Sequence, residues 1–148
     1  MRKLSHLSAT GEARMVNVAH KPDQQRRAIA DGRVLVARET LRLLRDQRIP
    51  KGDVFSVALI AGIQAAKRTA GLIPLCHPLP IHAVEVELKL ERDAVRIRAT
   101  VETTGKTGVE MEALTAVAVA ALTVYDMCKA VDKQMTISDV RLVEKTKT

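Results

Sequence analysis

Two stretches of strict alternation stand just past the middle of the chain. His82, Val84, Val86, Leu88 and Leu90 fall on one face of an extended segment, with Glu85, Glu87 and Lys89 on the other. Val95, Ile97, Ala99 and Val101 repeat the pattern against Arg96, Arg98 and Glu102, and Glu91–Arg92–Asp93 supplies the turn between the two. A period of two with one apolar face marks half-buried antiparallel strands, and the charged faces can pair across them.

The period then changes. Thr104–Gly105–Lys106–Thr107–Gly108–Val109–Glu110–Met111–Glu112 opens an almost charge-free stretch that closes on Tyr125–Asp126–Met127–Cys128–Lys129, which predicts a helix over Val109–Val131. The Ala-rich run Val54–Thr69 predicts another helix, capped by Asp53 and stopped at Gly71. Leu41, Leu43 and Leu44 fit a short helix over residues 39–47, ended by Pro50. Strands are expected over Arg33–Ala37 and Met135–Val143. Residues 1–32 are mixed and polar, with turn signals at Pro22 and Asp31–Gly32, and read as a surface segment whose first 14 residues are mobile. Three prolines between Ile73 and Pro80 exclude regular structure and stiffen the backbone there. The resulting order, β-α-β-β-α-β, is that of an α+β ferredoxin-like sandwich: one domain over 1–148, with helices on one face of an antiparallel sheet.

Composition narrows the chemistry. With 148 residues, 47% hydrophobic and 28% charged, the chain suits one globular core. One Phe, one Tyr and no Trp leave no stacking platforms for single-stranded nucleic acid. A net charge of +7 calls for an anionic partner, but the basic residues are scattered, which favours local phosphate pockets over a nucleic-acid track. Cys76 and Cys128 are expected as reduced thiols. The N-terminus lacks the apolar core of a signal peptide, and the uncharged stretch Ala113–Tyr125 is too short for a bilayer, so a soluble cytoplasmic protein is expected.

The candidate chemistry clusters at a few points. Gly105–Lys106–Thr107 is not a P-loop, because the glycine required five residues earlier is Thr100. The turn is either a plain strand-to-helix connection or a backbone cradle for a phosphate or carbonyl. His77 sits beside Cys76 in the proline-braced loop, which fixes where the imidazole points. No CxxC or HxxxH spacing supports zinc. Asp126 and Lys129 are neighbours on a helix surface. They form either an ordinary ion pair or, among apolar flanks that predict partial burial, an acid–base pair. Lys51 precedes a helix start, where a cation is disfavoured, so its placement asks for another reason. Glu110 and Asp126 are roughly 24 Å apart along one continuous helix, so they cannot both touch one small ligand within a chain. If both act, two subunits must share a site. Ala113, Leu114, Val117, Val119 and Leu122 offer more apolar surface than one sheet face can cover, which oligomerisation would bury.

Lys51–Gly52–Asp53–Val54–Phe55, Ala61–Thr69, Leu72–Pro78, Thr104–Leu114 and Tyr125–Ala130 together resemble the family of cyclic pyranopterin monophosphate synthases, the molybdenum cofactor biosynthesis protein C family. The resemblance runs from Met15 to Leu142. It implies a ferredoxin-like fold and a lyase that rearranges a 3′,8-cyclised dihydroguanosine triphosphate to cyclic pyranopterin monophosphate, releasing diphosphate. It also implies homohexamers, trimers of dimers, with sites at the dimer interface. By motif, Asp126 is the catalytic carboxylate, with Lys129 and Lys51 as its catalytic partners. Leu75, Cys76, His77, Met111 and Glu112 match substrate-binding positions, with Glu110 adjacent, and Arg26 and Lys145 match positions that hold phosphate. Asn17 stands where the family often has Asp, which removes an acid there. No metal ligand and no required cofactor follow from the match, and Mg²⁺ could accompany the triphosphate. Outside the resemblance, a basic domain that binds nucleic acid or phosphorylated ligands without turnover stays open, as does a metal-using hydrolase of the GTP-cyclohydrolase kind.

Overall fold

The computed structural model describes residues 6–148. Strands β1 (Gln24–Leu35), β2 (Ala83–Leu90), β3 (Ala94–Gly105) and β4 (Thr136–Lys147) form one antiparallel sheet in the order β2-β3-β1-β4. Helices α1 (Arg38–Arg45), α2 (Val54–Lys67), α3 (Thr69–Leu72) and α4 (Glu110–Cys128) complete the fold. With α2 and α4 as the two crossovers, this is the expected α+β, ferredoxin-like arrangement, and α1 and α3 are short additions to it.

The alternation in the hairpin is realised in register. Val86 faces Ala99 and Leu88 faces Ile97 on the helix side, while Glu87 faces Arg98 and Lys89 faces Arg96 on the other. Val95, Ile97, Ala99 and Val101 are fully buried beneath α4, whose Ala113, Ala116, Val117, Ala120, Ala121 and Val124 meet them. Small residues on α4 allow a close approach to the sheet, and Gly32 of β1 leaves room for it. A Cβ there would lie 2.6 Å from Val117 Cγ1, so only glycine fits without repacking.

Several boundaries differ from expectation. Strand β1 is not a five-residue piece at Arg33–Ala37 but a twelve-residue central strand, and Asp31–Gly32 is buried mid-strand rather than a turn. Its charged residues look like surface residues, yet Arg26, Arg27, Asp31 and Arg33 each have a specific partner. Asp31 accepts hydrogen bonds from Arg96 (2.8 Å) and Arg98 (2.6 Å) across the sheet, and its carboxyl lies below its ordinary pKa, chiefly through Arg98. Residues 24–32 therefore belong to the central strand, with 28–32 buried, rather than to a surface segment. Strand β4 likewise runs on to Lys147. Gly71 does not stop α2 but lies inside α3, and α4 ends at Cys128, short of Val131. His82 precedes β2.

Of the N-terminal segment read as mobile, residues 1–5 lie outside the described residues, and Leu7 bridges to Ala13 beyond them. By length and composition alone α4 could cross a membrane. Most of its apolar residues are instead buried against the sheet and α2, with Met111, Leu122 and Tyr125 left exposed.

Candidate active site

Charged groups gather at both ends of α4. At its N-terminus, a side chain on Gly108 would collide with the Glu110 carboxylate, so glycine is what lets that carboxylate fold back over the turn. Glu110 receives a 2.7 Å hydrogen bond from Lys145 of β4. Arg26 of β1 is pinned alongside, donating from Nε to Gly105 O at 3.4 Å and from Nη2 to Lys106 O at 3.3 Å. These groups, with Arg27 and Lys147, line a cavity of about 250 Å³. Burial raises the Glu110 pKa, but the Lys145 hydrogen bond and the charges of Lys145 and Arg26 overcome it and hold the group below the usual range. The result is an anchored carboxylate among cations, suited to an anionic ligand.

Two residues further on, Glu112 is 3% exposed. Its Oε1 accepts from Cys76 Sγ at 3.7 Å, and its Oε2 has no hydrogen-bond partner. Burial, with the nearby Glu110 charge, raises its pKa, and burial together with Glu112 pushes the Cys76 thiol up to about 11. Cys76 is therefore a neutral thiol, and a buried carboxyl oxygen stands ready for a donor. The proline-braced loop also holds His77, whose Nε2 lies 2.6 Å from Val16 O, and it leaves Leu75 exposed. Met111 projects outward beside Glu112. Lys106 is taken up by the Lys21 carbonyl at 2.7 Å and does not line the cavity.

At the other end, Asp126 is held between two ammonium groups. Lys129 reaches Oδ1 at 2.8 Å and Lys51 reaches Oδ2 at 3.2 Å. Lys51 is delivered by the turn Lys51–Gly52–Asp53, where Gly52 has φ +111, a conformation that favours glycine. Asp53 then caps α2 by accepting from Ser56 N. The position of Lys51 just before a helix start thus serves Asp126 rather than the helix. Hydrogen bonds from Lys129 first, then Lys51, lower the Asp126 pKa, and Asp126 raises that of Lys129. The partial burial expected of this pair is not seen, because the Asp126 and Lys129 side chains are 57% and 54% exposed. The apolar flanks of Asp126 alternate between the core and the outer surface: Met127 and Cys128 point inward, while Tyr125 faces out.

Within one chain the structure thus brings Arg26, Lys145, Glu110 and Glu112 to one end of α4 with the Leu75–His77 loop, and Lys51, Asp126 and Lys129 to the other. Cys76 and Cys128 do not converge, since Cys128 is buried in the core. Arg27 and Lys147 were not among the expected site residues. Their signal, alternation within β1 and β4, was hidden because both strands were read too short.

The fold is thus an α+β sandwich whose core helix carries charged residues at both ends. The chain belongs to the MoaC family, whose model matches residues 15–148. It is 60% identical over 148 residues to a protein of Heliobacterium modesticaldum, covering 99% of this chain and 93% of that one. It is 61% identical over 147 residues to one of Thermomicrobium roseum, covering 98% and 89%. A Streptomyces griseus relative is 59% identical over 144 residues, covering 97% and 81%. Each of the three is named cyclic pyranopterin monophosphate synthase.

Proposed function

We propose that this chain is a lyase of molybdenum cofactor biosynthesis, converting (8S)-3′,8-cyclo-7,8-dihydroguanosine 5′-triphosphate to cyclic pyranopterin monophosphate with release of diphosphate. The reading is carried by a family match over residues 15–148, and it is supported by the gathering of acid–base and cationic side chains at the two ends of one helix. Opening a purine-derived ring and closing pterin and cyclic phosphate rings require several proton transfers near neutral pH. In this reading Lys51, Asp126 and Lys129 move those protons, with the ionised Asp126 setting which lysine holds one.

Arg26 and Lys145 take the phosphates, where a fixed guanidinium and an ammonium match a polyanion. Leu75, Cys76, His77, Met111, Glu110 and Glu112 seat the remainder of the substrate, and the unpartnered Glu112 Oε2 faces its N–H groups. Mg²⁺, where it takes part, enters with the triphosphate and needs no ligand set from the protein.

The site is shared between two copies of the chain, within a cytoplasmic homohexamer built as a trimer of dimers. Supporting this are the length of α4, about 24 Å between Glu110 and Asp126, and the apolar side chains left exposed on α2 and α4. Those are Val57, Ile60, Met111, Leu122 and Tyr125.

The test is incubation of the purified protein with the cyclised nucleotide. Diphosphate release and pterin fluorescence after oxidation are expected. Absence of both, with salt-dependent binding to generic DNA or RNA instead, would point to the basic binding-domain alternative.

A further inference from the structure

Asp132 lies just beyond the C-terminal turn of α4, is 6% exposed, and has no cationic partner among the described residues. Its carboxylate is satisfied by neutral donors alone. Oδ2 accepts from Ala37 N and Thr40 Oγ1, both at 2.8 Å, and Oδ1 accepts from Gln134 N at 3.1 Å. Ala37 is the N-cap of α1 and has no side-chain oxygen, and nothing in its own segment caps that helix. Asp132 therefore caps α1 from 95 residues away in the chain.

The same residue is anchored to the turn that bears the acid–base pair. Its amide and that of Val131 each donate to Cys128 O at 3.0 Å, and Lys129 sits on that turn. Helix α1 in turn sets the loop that delivers Lys51. Arg48 N donates to Leu43 O at 2.8 Å, Gln47 takes a left-handed φ of +53, and Ile49 is sunk into the core. Lys51 then crosses back to Asp126. The chain is closed into a ring of contacts: α4 end, Asp132, α1, loop, Lys51, Asp126.

We infer that Asp132 is a positioning residue for the Lys51–Asp126–Lys129 set, clamping α1 against the end of α4 so that Lys51 meets Asp126, a role that rests on the assignment of proton transfer to those three residues. Lys51 and Asp126 are both exposed and could not hold their spacing alone, since an exposed ion pair contributes little. A buried carboxylate with three directed donors can hold it.

Asp132→Asn keeps the volume but cannot accept at all three donors. Expected is a fall in kcat of roughly ten- to hundredfold with KM for the cyclised nucleotide unchanged, as misplacement of an acid–base group remote from the binding contacts would give. The Asp126 carboxyl, followed by ¹³C NMR, should titrate at higher pH, because Lys51 no longer stabilises its ionised form, although Lys129 still faces it. Thr40→Val removes one donor and should move both readouts the same way by less. A folded Asp132→Asn with wild-type kcat and unmoved Asp126 titration overturns the role. If Asp132→Asn does not fold, an unmoved titration in Thr40→Val overturns it instead. An active Asp126→Asn would refute the proton-transfer assignment, and the Asp126 titration in the two variants would still decide the positioning.

Discussion

Lys51 Nζ donates to the Asp126 carboxylate at 3.2 Å and also to the Asp126 carbonyl oxygen at 3.1 Å. One ammonium thus ties the loop after α1 to both the side chain and the backbone at the end of α4. Lys129 occupies the other carboxylate oxygen at 2.8 Å. A carboxylate between two lysines stays ionised, keeps Lys129 charged, and is open to solvent where a substrate could displace either contact.

Removing one member of this set should affect turnover far more than folding. Asp126→Asn and Lys51→Met are each expected to lower kcat by roughly 10²- to 10⁴-fold, the range for a lost general acid or base. Their thermal unfolding should stay close to wild type, because the groups are exposed and their ion pairs contribute little. Steady-state kinetics beside a melting curve checks both. A large loss of stability would mean that the groups are structural.

The pH dependence follows from the Asp126 shift. Its pKa is lowered by Lys129 and then Lys51, so the carboxylate persists as pH falls through the ordinary Asp range. An acid limb in kcat that reports Asp126 should lie below that range. In Lys129→Met it should move up toward the ordinary value. A limb that does not move assigns the titration to another group.

Glu112 should be costly to the fold. Its pKa is raised, chiefly by burial, so the folded state favours the neutral acid. Relative to Glu112→Gln, the wild-type protein keeps its full stability below the unfolded Glu pKa and loses it as pH rises through the raised one. At neutral pH, Glu112→Gln should therefore be the more stable of the two, since it removes a desolvated charge while keeping the volume. It should also be less active, with the two variants converging in stability in acid. Denaturant unfolding at two pH values measures this, and a destabilised Gln variant at neutral pH would contradict it.

The crossing of β1 and α4 gives a test of packing alone. Gly32→Ala places a methyl group 2.6 Å from Val117 Cγ1. Overpacking of this kind should cost about 1–3 kcal/mol in urea unfolding. Pairing it with Val117→Ala should recover part of the loss, as expected for residues in contact.

Much of this was legible in the sequence, for identifiable reasons. Alternation in the hairpin and the long apolar stretch before Asp126 gave the sheet and core helix, because both patterns reflect burial on one face. Strand β1 was misread because Arg26, Arg27, Asp31 and Arg33 look like surface residues. Arg26 is held by the carbonyls of Gly105 and Lys106, and the others by Arg96, Arg98, Glu102, Glu144 and the turn residue Glu91, all distant in the chain and invisible to a local reading. The separation of Glu110 from Asp126 needed only helix geometry. The orphaned Glu112 oxygen and the Asp132 clamp depend on tertiary contacts and could not be read from spacing.

The cationic end of α4 should act on binding rather than on chemistry. Lys145→Ala removes the 2.7 Å partner of Glu110 and one of the cations lining the cavity. KM for the triphosphate is expected to rise roughly tenfold, as for one lost charge-assisted contact, with a smaller change in kcat. Repeating the titration at high salt should narrow the gap between variant and wild type.

Complementation between subunits tests the central claim, that opposite ends of α4 from two chains build one site. Asp126→Asn is paired with the double variant Arg26→Ala/Lys145→Ala, each inactive or nearly so alone at limiting nucleotide, and the two are co-expressed or mixed after reversible dissociation. With random pairing in two-fold dimers, half of the dimers are mixed and each carries one intact site, so about a quarter of wild-type activity should return. A mixture no more active than the sum of its parts would contradict the account.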